Sequence, residues 1–412
     1  MKPVTMIVCG GGSRGTGHAV QAAAEKAQIV GVAEPREFHR NHIASTHAIP
    51  AENVFTDWRE MARRDRFADA VIISTQDAMH TEPVEAFAAK GYHILLEKPM
   101  APDEDGCRRI IRAVTDAKCV FAVCHVLRYT PYTQQLKKIV DSGAIGEIIN
   151  IQHLEPVTYW HQAHSYVRGN WRNEKESSFM LLAKSCHDID WIHYVMGVRC
   201  TEITSFGSLK HFRRDCQPKG AADRCLECKV EPTCPYSAKK IYGGFLAKGN
   251  KGWPVNVVVP EPTPESLMEA LRTGPYGRCV YACDNDVVDN QVVNMSFENG
   301  TTASFTMTAF TKSEGRQTRI FGTRGQLTGN SKTIEIYDFL TDKVTTVDTY
   351  ATEGTVSGGH GGGDAGVMKA FVDAITHKDP SRVLTGPQET LESHLMVFAA
   401  EKSRHENRVM RL

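Results

Sequence analysis

Four groups of residues in this 412-residue chain have the types and spacing to do chemistry. The first is Gly10-x-Gly12-x-x-Gly15, set between an apolar run at 4–9 and an alanine-rich helical segment at 19–27. A second apolar run, 29–33, ends on Glu34. Strand, glycine turn, helix, strand, acid is the order a dinucleotide site requires. The first glycine permits the tight turn, the second lets backbone N–H groups approach a pyrophosphate, and the third lets helix pack on strand. The phosphates then face a helix N-terminus. Gly10, Gly12, Ser13, Arg14 and Gly15 are assigned to that cradle. Glu34 can accept hydrogen bonds from a ribose 2′-OH and repel a 2′-phosphate, so NAD is expected over NADP. Arg36 is either a phosphate ligand or a solvated surface arginine.

The second group is Glu97-Lys98-Pro99, just past the strand run 93–96. A nicotinamide belongs at that carboxyl end. The proline fixes the turn, and Lys98 is placed to polarise a substrate hydroxyl. The competing reading is a surface turn with a solvated lysine. The third group is Lys184-Ser-Cys-His187-Asp-Ile-Asp190. On a continuous helix, residues three apart share a face, so Lys184, His187 and Asp190 are expected together. His187 can move a proton at neutral pH, with Asp190 orienting its ring or holding substrate. A buried histidine satisfied by a carboxylate is the plainer alternative.

The elements that must position these groups are legible in outline. Strand runs at 4–9, 29–33, 70–74, 93–96 and 120–124 alternate with helical stretches at 19–27, 81–90 and 103–117. Repeated β-α-β with short links predicts a doubly wound parallel sheet over residues 1–125. Beyond it, helices are expected at 131–142, 179–196, 366–376 and 388–404, and a strand at 147–157. Residues 293–297 and 303–309 alternate apolar and polar about Asn299-Gly300, a hairpin signal. Residues 126–412 therefore read as an α+β domain on an open, mainly antiparallel sheet. An insert at about 210–283 fits neither pattern.

With Glu97-Lys98-Pro99 the chain resembles the Gfo/Idh/MocA family of sugar and cyclitol oxidoreductases. The resemblance extends to the glycine turn, Ser74-Thr75 with His80, Arg128-Tyr129-x-Pro131, Gly143-x-Ile145-Gly146 and His187-x-x-Asp190. It implies a Rossmann domain, a second domain that carries substrate and often mediates oligomers, and nicotinamide chemistry at a carbinol carbon. It also implies a cis peptide before Pro99, cofactor contacts from Ser74, Thr75, His80, Glu97 and Lys98, and a pocket role for Arg128 and Tyr129. Many members carry an aspartate four residues before the histidine; here Ala183 stands there, followed by Lys184. Lys184 is expected to polarise an oxygen or bind an anionic substituent. His164, Arg168, Trp171 and Arg172 sit in an aromatic and basic stretch suited to sugar faces and planar anions. His360-Gly-Gly-Gly-Asp364 either closes the pocket or caps the following helix.

The fourth group is Cys225-x-x-Cys228 followed by Cys234, with Cys216 or His211 available to complete a tetrahedral set. That spacing predicts a structural zinc site. A redox cysteine pair and unmetallated loop thiols are the alternatives.

Composition limits the rest. Lys plus Arg equals Asp plus Glu at 48 each, which gives no electrostatic case for nucleic acid. No run approaches the ~18 apolar residues of a membrane span, and the N-terminus enters the first strand directly. A cytoplasmic protein with reduced thiols is expected, acting on a small carbohydrate and forming a homo-oligomer. Three activities remain open. One is NAD-dependent oxidation of a ring hydroxyl in a sugar, cyclitol or glycoside. Another is redox-neutral glycoside cleavage on tightly held NAD, with an anionic sugar such as a sulfoquinovoside as substrate. The third is a non-catalytic NAD-binding regulator.

Overall fold

The computed structural model describes residues 2–349 and 360–412, except the side chain of His360. Six strands form a parallel sheet: β1 (Thr5–Cys9), β2 (Gln28–Ala33), β3 (Val54–Phe55), β4 (Ala70–Ile73), β5 (His93–Leu96) and β6 (Phe121–Val123). Their spatial order is β3-β2-β1-β4-β5-β6. Every residue of β4 and the last three of β5 are buried, as expected for strands covered by helices on both faces. The order reverses between β1 and β4, so a crevice opens beyond their carboxyl ends. Helix Glu104–Asp116 starts as its sequence suggests. Asp103 accepts from the Gly106 N–H at 2.7 Å, and two acids occupy the first turn.

The second sheet has nine strands. Its centre is β7 (Ile148–Pro156), flanked by β10 (Thr302–Thr308) and β11 (Gln317–Gly322). Beyond β10 lie β9 (Asn290–Phe297), β8 (Cys200–Ser208) and β15 (Met410–Arg411). Beyond β11 lie β12 (Gly325–Gly329), β13 (Thr333–Asp338) and β14 (Lys343–Asp348). Only the β7–β10 pair among these is parallel. The hairpin joining β9 to β10 turns at Gly300, whose φ of 81° suits glycine. Alternate residues of β9 and β10 face the helix Cys186–Met196 and the long helix Pro387–Glu406 across one core.

One expectation needs correction. The helix over 179–196 is broken: Met180–Ala183 ends before Lys184, and Cys186–Met196 begins afresh after Ser185, whose ψ is 7°. The aromatic and basic stretch that follows β7 is buried over Gln162–Arg168. Tyr159–His161 runs into a wide helical turn, Gln162–Arg168, in which every residue is buried. The insert covers it. Phe212, Tyr236, Tyr242, Leu271, Val280 and Tyr281 form a separate small core with Ala163 and Val167. Clustered aromatics supply here the burial that periodic aliphatic residues supply elsewhere.

Candidate active site at the crevice

The glycine turn has the form its sequence demands. Gly10 has φ of 93°, and a Cβ there would lie 2.6 Å from Ser74 O. A Cβ on Gly15 would overlap the carbonyl of Gly10, whereas one on Gly12 would meet only the flexible end of Arg36. Helix Ser13–Ala24 therefore starts against β1 with its N–H groups facing the crevice. Glu34, 2% exposed, accepts from the Gly11 N–H at 2.7 Å and from Arg36 Nε at 2.7 Å. Burial alone would raise its pKa, but the hydrogen bonds from Arg36 and Gly11 lower it, so the carboxylate stays ionised beside the turn. These residues fit a dinucleotide: backbone donors, a glycine cradle and an acid at the ribose position. Arg36 is neither free nor wholly solvated, because Glu34 holds it.

Beyond β4 and β5 the polar groups interlock. The Glu97 carboxylate accepts from Arg14 Nε at 2.7 Å, lies 2.6 Å from His18 Nε2 and takes the Lys98 N–H at 3.1 Å. Burial would raise its pKa; Arg14 and His18 outweigh it and hold the group well below the usual carboxylate range. Arg14 also donates to Asp364 at 2.7 Å, which ties the start of helix Gly363–His377 to the glycine turn. Arg14, expected only at the pyrophosphate, is thus a strut across the crevice. His80 is a clamp between loops: Nδ1 lies 2.8 Å from Pro99 O and Nε2 3.2 Å from Thr75 O. Thr75 Oγ1 donates to Met79 O at 3.1 Å. The Lys98–Pro99 peptide is cis.

Lys98 Nζ donates to Ala183 O at 2.5 Å, a bond between residues 85 apart in the chain. Ala183 ends its short helix, and the break at Lys184–Ser185 turns that carbonyl toward Lys98. His187 lies in the first turn of the next helix, 6% exposed. Its ring meets the edge of His125 at 5.7 Å between centroids. The Lys98 charge is felt at His125, whose ring touches His187, and at Cys186, the residue before that histidine.

The structure separates other residues from it. Asp190 does not orient His187. Both its oxygens are taken by Arg128, at 2.7 and 2.8 Å, and Arg128 Nη1 donates to Leu384 O. Burial opposes ionisation of Asp190, but Arg128 overrides it and brings the carboxyl to about 2. Tyr129 is also structural, bonded through its hydroxyl to Thr385 and the Leu384 N–H. Lys184 is paired with Glu155 at 3.1 Å. Glu155 also binds Arg316, which reaches Asp188 at 2.5 Å, and His153 Nε2 lies 3.2 Å from Asp188. A buried charge cluster therefore backs the histidine helix.

His164, Arg168 and Arg172 face the insert. His164 stacks on Tyr276 at 4.9 Å and bonds to Tyr242. Arg168 and Arg172 line a pocket of ≈ 390 Å³ with Arg224 and Arg278, and Arg172 is paired with Asp284 at 2.9 Å. Trp171 packs on the main core of the second sheet. The His360 side chain lies outside the described residues.

Sequence reasoning missed His125, His394, Glu155 and Arg316. His125 lies two residues past β6, and that position was the available signal. His394 Nε2 accepts from the Met100 N–H at 3.0 Å and so steadies the lysine turn from the far end of the chain. Among the expected metal ligands, Cys225, Cys228 and Cys234 line one small cavity, and its fourth cysteine is Cys279. His211 lies instead 3.0 Å from the Tyr281 hydroxyl, and Cys216 Sγ points at Lys210 O.

No helix among the described residues is long and apolar enough to cross a membrane. The solved structure of levoglucosan dehydrogenase with NADH and levoglucosan superposes with a TM-score of 0.72 at 20% identity, covering 100% of this chain and 99% of that one. An Agrobacterium radiobacter oxidoreductase with NAD+ and L-tartaric acid gives 0.72 at 15% identity, covering 100% and 98%. In sequence, the protein YteT of Bacillus subtilis (strain 168) is 24% identical over 331 residues, 76% of this chain and 73% of that protein. The 2,7-anhydro-N-acetylneuraminate hydratase of Escherichia coli (strain K12) is 27% identical over 142 residues, 34% of this chain and 37% of that protein. Residues 4–125 match the family model of the NAD-binding Rossmann fold and 137–412 that of the C-terminal alpha/beta domain, so the chain belongs to the Gfo/Idh/MocA oxidoreductase family.

Proposed function

We propose that the protein oxidises a ring hydroxyl of a sugar, cyclitol or glycoside. The observation that carries this is the hydrogen bond from Lys98, just past the end of β5, to Ala183 O, four residues before His187. Bound NAD supplies the hydride acceptor. Lys98 Nζ, held at the crevice by Ala183 O, donates to the reacting hydroxyl oxygen and fixes its position. His187 receives the hydroxyl proton as hydride leaves carbon. Arg14 and Glu97 set the lysine turn, and Glu34 selects NAD by its position beside Gly11.

A second reading uses the same residues for redox-neutral glycoside cleavage, in which the ring carbon is oxidised, the aglycone eliminated, water added and the carbon reduced. Ala183 in place of an aspartate favours it, because the proton relay common in the family's dehydrogenases is shortened to Lys98 and His187. Similarity to a hydratase agrees. Arginines in the insert pocket suit an anionic substituent such as a sulfonate. The insert's cysteines hold a thiophilic metal centre that shapes this side of the molecule. Assembly as a homo-oligomer completes the reading.

Purified protein incubated with free polyols and with neutral and anionic aryl glycosides separates the readings. Stoichiometric NADH from a polyol supports the dehydrogenase. Aglycone release without net NADH supports the redox-neutral cycle. Neither signal across broad substrate sets, with NAD bound, leaves only a binding role.

A further inference from the structure

Arginines from three stretches of chain wall the pocket of ≈ 390 Å³ between the wide turn Gln162–Arg168 and the insert. Arg168 ends the turn, Arg172 follows it, and Arg224 and Arg278 come from the insert. The volume falls in the roughly 300–1,000 Å³ range of small-molecule sites. The remaining wall is backbone and neutral side chains, and among the described residues no carboxylate lines it. Walls of one sign concentrate the potential inside a pocket.

The fold holds these arginines together against their repulsion. Arg224 and Arg278 stand opposite each other across an antiparallel bridge. Like charges in that position destabilise a strand pair. Two carboxylates outside the wall offset part of the charge. Asp284 accepts from Arg172 Nε at 2.9 Å and from Arg278 Nη1 at 2.6 Å, and Glu176 lies 2.9 Å from Arg172 Nη2. The bonds from Arg172 and Arg278 hold the Asp284 carboxyl well below the usual range. Arg168 and Arg224 meet no carboxylate among the described residues. Arg224 Nη2 donates to Leu271 O and Gly274 O, at the end of helix Pro264–Thr273. Arg168, 1% exposed, donates to Arg278 O and Tyr236 O and contacts the Cys225 sulfur, and its Nη1 is buried without a partner. A buried guanidinium is costly without an anion.

Four guanidinium groups against two carboxylates leave an excess of two positive charges. Donors remain as well. Arg172 Nη1, Arg224 Nη1 and Arg278 Nη2 donate to no acceptor among the described residues. A tetrahedral oxyanion matches both features. Its several oxygens accept from guanidinium forks, and its charge relieves the repulsion across the Arg224–Arg278 bridge. Resting on the reading of an anionic substrate only for what carries the group, we infer that this pocket binds a phosphate, sulfate or sulfonate through Arg172, Arg224 and Arg278, with the buried Arg168 charge behind them. The pocket is larger than such an ion and leaves room for a sugar ring attached to it.

The test is calorimetric titration of the full chain with inorganic phosphate and with glucose 6-phosphate, after saturation with NAD so that the glycine cradle does not take up phosphate. Saturable binding is expected, weaker as potassium chloride is raised. Arg172→Gln, at a side chain 20% exposed, should fold and weaken that binding about tenfold or more. Arg224→Gln should weaken it likewise. Tighter binding of glucose 6-phosphate than of inorganic phosphate assigns the group to an organic carrier, and equal or weaker binding assigns the site to a free ion; both support the pocket. Saturable binding of neither probe, or binding that Arg172→Gln leaves unchanged, overturns it. The wild-type titration and Arg172→Gln decide the matter even where Arg224→Gln fails to fold. NAD affinity measured on the same wild-type sample shows separately whether the oxidoreductase reading stands.

Discussion

The crevice beyond β4 and β5 and the cysteine insert are both built from loops, but their residues meet in opposite ways. At the crevice the backbone sets the chemistry. Gly10 and Gly15 are required because other backbone atoms occupy the Cβ positions, and that demand falls on a few consecutive residues. In the insert the side chains set it. Cys225 meets Cys279, and Arg168 reaches Tyr236 and Arg278, across long separations and with little regular structure. A local backbone constraint leaves a readable motif, whereas a contact made between distant side chains leaves none.

The comparison sharpens at Asp190, which looked like a catalytic partner and is a structural one. Asp190→Ala strands the buried Arg128 and should cost about 3–5 kcal/mol, read as a lower midpoint in urea, because an unpaired buried charge remains. If the variant unfolds like wild type but loses turnover, the aspartate belongs to the chemistry after all.

Gly15→Ala should cost about 1–3 kcal/mol by overpacking, with weakened NAD binding measured by calorimetry. Unchanged affinity would mean that the turn tolerates the methyl group.

Acid should loosen both regions together. Burial is the largest cause lowering His125 to about 3, His394 to about 4 and His164 to about 3. Unfolded histidine titrates near about 6.5. Each group's contribution is therefore complete above that pH, declines as the unfolded state takes up protons below it, and is gone below the folded value. Stability should fall steadily from about pH 6.5 to pH 3, and His164→Phe should flatten the slope. A slope unchanged in that variant would show that His164 is protonated in the fold.

The smallest effect belongs to Arg172→Ala. Its partners Asp284 and Glu176 are half exposed, so the loss should stay below about 1 kcal/mol. A larger loss in turnover than in stability would give Arg172 the substrate contact expected from its sequence context.

The parallel sheet, the glycine turn, Glu34 and the lysine turn were legible because β-α-β periodicity and turn chemistry are local. The break at Lys184–Ser185 was not, since residues 179–196 carry helical periodicity throughout and the deviation presents Ala183 O to a lysine 85 residues away. Nor was the burial of 162–168, because the aromatics that cover it arrive from the insert. Arg128 and Asp190 were found as residues and misassigned in role: each is chemically competent, and only their mutual contact shows that they serve each other.

Turnover and NAD affinity measured together for Lys98→Ala and His187→Ala test the central claim most directly. Each variant should bind NAD within a few-fold of wild type and lose about 10²-fold or more in turnover. Full turnover in both, with NAD still bound, would contradict it.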